Sequence, residues 1–130
     1  SLVRGALWGL AGFAAFSLVP AVGVPPALPG GPESPLAPRQ LWWIVAVLCT
    51  AGGLALLAFA SGRWWRWAGL PLLALPFLFP APHAQEALGT ELVSLTQRFI
   101  ATTLAVNLAS WLVLGAVSGW LWARQTARAA

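Results

Sequence analysis

From Leu41 to Ala60 the chain runs twenty residues, LWWIVAVLCTAGGLALLAFA, without a charged side chain or a proline. A helix of that length and character crosses a bilayer core of about 30 Å while satisfying every backbone amide within itself. Nothing in a water-soluble fold calls for such a run. The rest of the chain agrees with it: 59% of residues are hydrophobic and 8% charged, and the mean hydropathy is +0.79. An ordinary soluble domain carries about 25% charged residues. The expected fold class is therefore an all-α membrane protein, with the lipid bilayer as its first partner.

Three further stretches are read as spans, which gives four transmembrane helices over residues 4–22, 41–60, 64–82 and 91–123 in a single transmembrane domain. The first carries Gly5, Gly9 and Gly12 at i, i+4 and i+7, a small-residue face on which a second helix can lie closely. The third is short and proline-kinked: it holds Pro71 and Pro76, and reaches spanning length only with Trp64, Trp65 and Arg66 at one interface and His83 near the other. The fourth is long. Leu92 and Leu95 fall in register with Phe99, Thr90 is a plausible N-cap, and Gly115 and Gly119 form a GxxxG pair. Between the first two spans, residues 23–40 form a proline-rich loop. Seven of the eleven prolines lie between Pro20 and Pro38, which excludes a helix across that connection and predicts turns and polyproline-type backbone.

Seven arginines and no lysine produce the net charge of +4. They stand singly or in pairs at the ends of apolar runs, where they act as topology signals, so no nucleic-acid partner is expected. Arg4, Arg63, Arg66, Arg124 and Arg128 fall on one side of the expected two-hairpin layout. All three acids, Glu33, Glu86 and Glu91, fall on the other, offset only by Arg39 and Arg98. By the positive-inside rule both termini face the cytoplasm, and the proline loop and the His83 loop face outward. Seven of the nine tryptophans, Trp42 and Trp43 among them, lie near expected span ends, where indoles form interfacial belts. The run from Leu2 to Val24 is too long and glycine-rich for a signal peptide and reads as a span. A chain that begins at Ser1 and contains no Met is expected to lack an amino-terminal portion.

One His, one Cys and no Asp, Lys or Tyr leave no triad, carboxylate pair or phosphate loop to assemble, so an enzyme is not expected. Cys49 lies within an apolar run and reads as a small packed hydrophobe. Chemistry concentrates elsewhere. His83 and Glu86, three residues apart, can face one way in a helical turn and offer an imidazole and a carboxylate to a divalent first-row metal. The bland alternative is that His83 only marks where lipid gives way to water. Pro71 and Pro76 free backbone carbonyls that either line a path or are satisfied by neighbouring helices. Asn107, near one stripe with Thr103, Ser110 and Ser118, must face another helix, as part of a polar path or as interhelical glue. No ionisable residue falls mid-span.

The runs RGALWGLAGFAAFSLVPAVGVPPALPG (Arg4 to Gly30) and RQLWW (Arg39 to Trp43) resemble the core of the CbtA family of predicted cobalt transporter subunits. The later APH (Ala81 to His83) and NLASWLVLGAVSGWL (from Asn107) are similar to its final hairpin. Pro25, Pro26, Arg39, Trp42, Trp43, His83 and Asn107 match the family pattern. The resemblance implies a bacterial inner-membrane protein, further spans before Ser1, cobalt as the metal, and a small histidine-rich partner, CbtB. Set against it is a non-catalytic accessory subunit of a larger respiratory or photosynthetic membrane complex. The small-residue faces and tryptophan-rich interfaces suit that role equally.

Overall fold

The computed structural model describes residues 1–83 and 89–129, and their regular structure is helical throughout. The first span starts at Ser1, whose hydroxyl accepts the Arg4 backbone N–H at 3.4 Å. It runs unbroken through α1 (Leu2–Phe13), a five-residue π turn (Ala14–Leu18) and α2 (Val19–Gly23). Its 22 residues give about 33 Å at 1.5 Å per residue, a bilayer core's thickness.

The π turn has a local cause. Pro20 has no N–H, so the carbonyl of Phe16, four residues earlier, loses its α-helical donor and the proline ring crowds it. The helix widens just before the proline, and the Val19 N–H reaches back five residues to Ala14. The freed Phe16 carbonyl accepts the Trp43 indole N–H from the second span at 3.3 Å. A proline inside an apolar helix thus creates an acceptor, and a tryptophan on another helix answers it.

The connection that follows, residues 24–35, contains five prolines. Leu28-Pro29-Gly30-Gly31 carries the signature of a type II turn: Pro at the second position, Gly30 at φ 75°, and a Gly31 N–H to Leu28 carbonyl bond of 2.9 Å. The second span, α3 (Leu36–Phe59), begins five residues before the expected Leu41. Pro38 is its third residue, in the first turn, where no intrahelical N–H is required. Arg39 is therefore on the helix rather than in the loop.

The region expected as a third span behaves differently. It breaks into α4 (Arg63–Trp67), α5 (Gly69–Ala74) and a 3-10 turn (Leu75–Leu78). Pro71 sits in the first turn of α5, where it is tolerated, and the helix tightens to 3-10 geometry at Pro76. Among the described residues three helices are long and apolar enough to cross a membrane: Leu2–Gly23, Leu36–Phe59 and Thr90–Ala129. The broken segment lies against α3. Gly53 and Gly69 bring the two backbones together, since a Cβ on Gly69 would stand 2.6 Å from the Gly53 carbonyl oxygen. Pro76 is fully buried, and Trp42 meets Phe77 edge-on at 6.3 Å. The Arg66 Nε donates to the Leu57 carbonyl at 3.2 Å and so caps the last turn of α3.

The last helix, α6 (Thr90–Ala129), has 40 residues, about 60 Å of helix and more than a membrane core needs. Glu91 in its first turn and Arg128 in its last match the helix dipole. It runs antiparallel to the first span, glycine against glycine. A methyl group on Gly5 would strike the Gly115 carbonyl oxygen, one on Gly9 the Trp111 carbonyl oxygen, and one on Gly119 would lie 2.7 Å from the Gly5 Cα. The amino terminus donates to the Gly119 carbonyl at 3.3 Å. Even at this contact no residue of α6 is more than half-buried. Leu114, Val113, Val106 and Trp122 are exposed, as side chains facing lipid would be.

Candidate functional site

The two ends of the molecule differ in chemistry. At one end Trp8 of α1 stacks on Phe59 of α3 at 5.7 Å, the Arg66 Nε holds the Leu57 carbonyl, the amino terminus meets the Gly119 carbonyl, and Arg124 lies 5.1 Å over the Trp120 ring. At the other end the proline loop, the first turn of α3, the Pro82-His83 stretch and the start of α6 line a half-open cavity of about 180 Å³. Its polar lining comes from Glu33, Ser34, Arg39, His83 and Thr96.

Each of these groups is placed by a local cause. Arg39 projects from the first turn of α3, its own N–H bonded to the Pro35 carbonyl at 3.3 Å, and its Nη1 donates to Glu33 Oε2 at 2.7 Å. Pro82 and His83 both line the cavity, with the imidazole in an exposed position. Thr96 sits on α6 with its hydroxyl returned to its own helix, at the Leu92 carbonyl, 2.8 Å away. Ser34 is buried at 9% exposure. The loop itself has an excess of acceptors: five of its twelve residues are prolines without an N–H, while every residue keeps its carbonyl. The cavity wall is largely apolar, and its ionisable side chains are one imidazole, one carboxylate and the Arg39 guanidinium that pairs with that carboxylate.

The expected site residues distribute unevenly. Pro25, Pro26, Arg39 and His83 come together at this cavity. Glu86, the expected companion of His83, lies outside the described residues. Among the described residues no three His, Cys, Asp or Glu side chains gather as a metal cage. Pro76 packs beneath Trp42, and Pro71 is exposed. Asn107 is half-buried on α6, which lies against the first span, whereas Pro71 and Pro76 belong to the segment on α3. The Ser110 hydroxyl is satisfied by its own helix at the Val106 carbonyl, 2.8 Å away.

The two neighbouring tryptophans divide their work. Trp42 is not a belt residue as expected. It is 7% exposed, its ring fills the space above Gly23, and its Nε1 has no partner among the described residues. Trp43 holds the Phe16 carbonyl. Phe16 in turn stacks on Trp111 of α6 at 5.5 Å and 18°, so one side chain joins all three long helices. Sequence reasoning passed over Phe16 and Trp111. The signals were present: Phe16 stands four residues before Pro20, and Trp8 and Trp111 are the two tryptophans away from span ends.

A family model described as "Probable cobalt transporter subunit (CbtA)" matches residues 1–123 of the chain. No curated protein and no solved structure matches it.

Proposed function

The chain belongs to the CbtA family, and from that premise we propose that it is a membrane subunit of a cobalt or related divalent-metal uptake system. The family match carries this reading. The cavity supports it, because the imidazole and the Glu33 carboxylate line one cavity, at the end of the spans opposite five of the seven arginines. By the positive-inside rule the arginine end is cytoplasmic, with both termini, and the cavity faces outward from a bacterial inner membrane.

His83 with Glu86 takes the arriving ion at the outer face. Divalent first-row cations require roughly four to six donors, so the rest come from loop carbonyls, water and a partner. A small histidine-rich partner of the CbtB kind would fit an open, exposed imidazole. The Pro71–Pro76 segment, where the carbonyls of Trp67 and Leu72 face prolines instead of N–H donors, is assigned to the path. Asn107 is assigned to helix contact.

The test is cobalt accumulation by cells carrying His83→Ala, measured by mass spectrometry against the unsubstituted chain at equal membrane abundance. A marked fall is expected. Unchanged accumulation would remove His83 from the mechanism.

A further inference from the structure

The outer cavity holds one ion pair, and its form says something about what the cavity admits. Glu33 and Arg39 are joined by a single oxygen–nitrogen contact of 2.7 Å, with side chains 47% and 29% exposed. Pairs of this kind are weak, because water screens them and ordering two long side chains offsets the attraction. Both groups line the same cavity as His83, and Glu33 is the acid among the described residues that does so. Glu91, in the first turn of α6, is not part of the lining.

A guanidinium resting on the carboxylate in the lining of the His83 cavity occupies the place a cation would take. We propose that Glu33 is a cation ligand held in reserve by Arg39. A divalent cation entering beside His83 takes the Glu33 carboxylate, and the Arg39 guanidinium swings away to water or headgroup phosphates. This rests on the reading of the cavity as the point of metal entry and adds to it a ligand and a selection rule. Exchanging a single positive charge for a double one is electrostatically favourable, whereas a monovalent ion gains nothing over the guanidinium it must displace. The side chain has the means to move. Its root is fixed on the first turn of α3, and its flexible stem can snorkel toward the interface.

The experiment is equilibrium dialysis of the full chain in nanodiscs against cobalt chloride, with excess sodium chloride as the monovalent competitor. Arg39→Gln is expected to tighten cobalt binding a few-fold, about fivefold at most, since a half-exposed pair holds no more than that. Glu33→Gln is expected to weaken it about tenfold or more, on the scale of losses seen when a ligand set is disturbed. Adding Arg39→Gln to Glu33→Gln then changes nothing further, because the arginine acts only through the carboxylate. Arg39→Met, which keeps an apolar stem and removes the charge, should act in the same direction and serves if the Gln variant does not fold. Weaker or unchanged binding in the Arg39 variants, with Glu33→Gln still damaging, overturns the reserve role. Damage by His83→Ala but not by Glu33→Gln overturns Glu33 as a ligand. If neither matters, the cavity is not the entry point and the underlying reading fails with it.

Discussion

The contact of α1 with α6 and the contact of α3 with α5 both centre on glycines, yet they are built on different terms. At Gly5, Gly9, Gly115 and Gly119 backbone lies directly on backbone, and the atoms that a Cβ would strike are carbonyl oxygens and Cα atoms. At Gly52, Gly53 and Gly69 backbone atoms share the contact with the side chains of Leu72, Leu73, Leu56 and Leu57. Lipid tails offer no hydrophobic drive for helices to associate, so close packing and weak Cα–H···O contacts must do it. At these four positions the first contact is a rigid seam with no side chain to yield; only farther along, at Gly12, does the Trp111 ring fill the space instead. The second has flexible leucines and a broken helix, and α3 carries two buried donors without partners among the described residues, Trp42 Nε1 and Thr50 Oγ1. Polar imbalance is concentrated beside the segment in which prolines free carbonyls, and rigidity is concentrated away from it.

That contrast breaks most sharply at the seam. Gly115→Leu should cost at least about 3 kcal/mol, enough to remove most folded protein, because neither backbone can retreat without parting the helices. Its readout is thermal unfolding in detergent followed by size-exclusion chromatography. A folded, monodisperse variant would mean the seam has give after all. Gly69→Ala should cost less, about 1–3 kcal/mol, since Gly53 is backbone but Leu57 can rotate. The Trp43–Phe16 bond lies between the two regions and tests what joins them. Trp43→Phe should lose about 1 kcal/mol by orphaning the Phe16 carbonyl. In a Pro20→Ala background, where the helix regains its own N–H, the same change should be close to neutral. Equal losses in both backgrounds would detach the indole from the proline. The smallest effect is expected at Gly52→Ala. The added methyl meets only the Leu72 Cδ2 at 3.2 Å, and the gain in helix propensity of up to about 1 kcal/mol should leave stability unchanged or slightly raised.

Much of this fold was legible from the residues. The apolar runs implied an all-helical chain, and three of the four stretches read as spans coincide with helices long and apolar enough to cross a membrane. The last helix runs on past the expected end at 123 to Ala129, and elsewhere proline position explains the departures. Pro38 looked like loop but sits in a first turn, so α3 starts at Leu36 and raises Arg39 onto the helix. Pro71 and Pro76 looked like kinks in one span. The actual break falls at Ala68, between α4 and α5, and Pro76 tightens the end into a 3-10 turn. The tryptophans misled for a related reason. An indole near a span end satisfies the belt pattern whether it faces headgroups or, like Trp42, a glycine on the neighbouring helix.

The candidate site was legible only in part. His83 stood out as the sole imidazole. Nothing local showed that Glu33 and Arg39, six residues apart across a helix start, would close on each other at the same cavity.

The sequence alone determined that the chain is helical and apolar enough for a bilayer, because each long helix satisfies its own backbone and needs only apolar side chains to enter lipid. Which glycine face meets which, which indole answers the Phe16 carbonyl and which carboxylate reaches the His83 cavity were decided by the tertiary structure. Lipid and a neighbouring helix present much the same apolar surface, so hydrophobic pattern cannot tell them apart. Close approach and hydrogen-bond geometry between distant residues can.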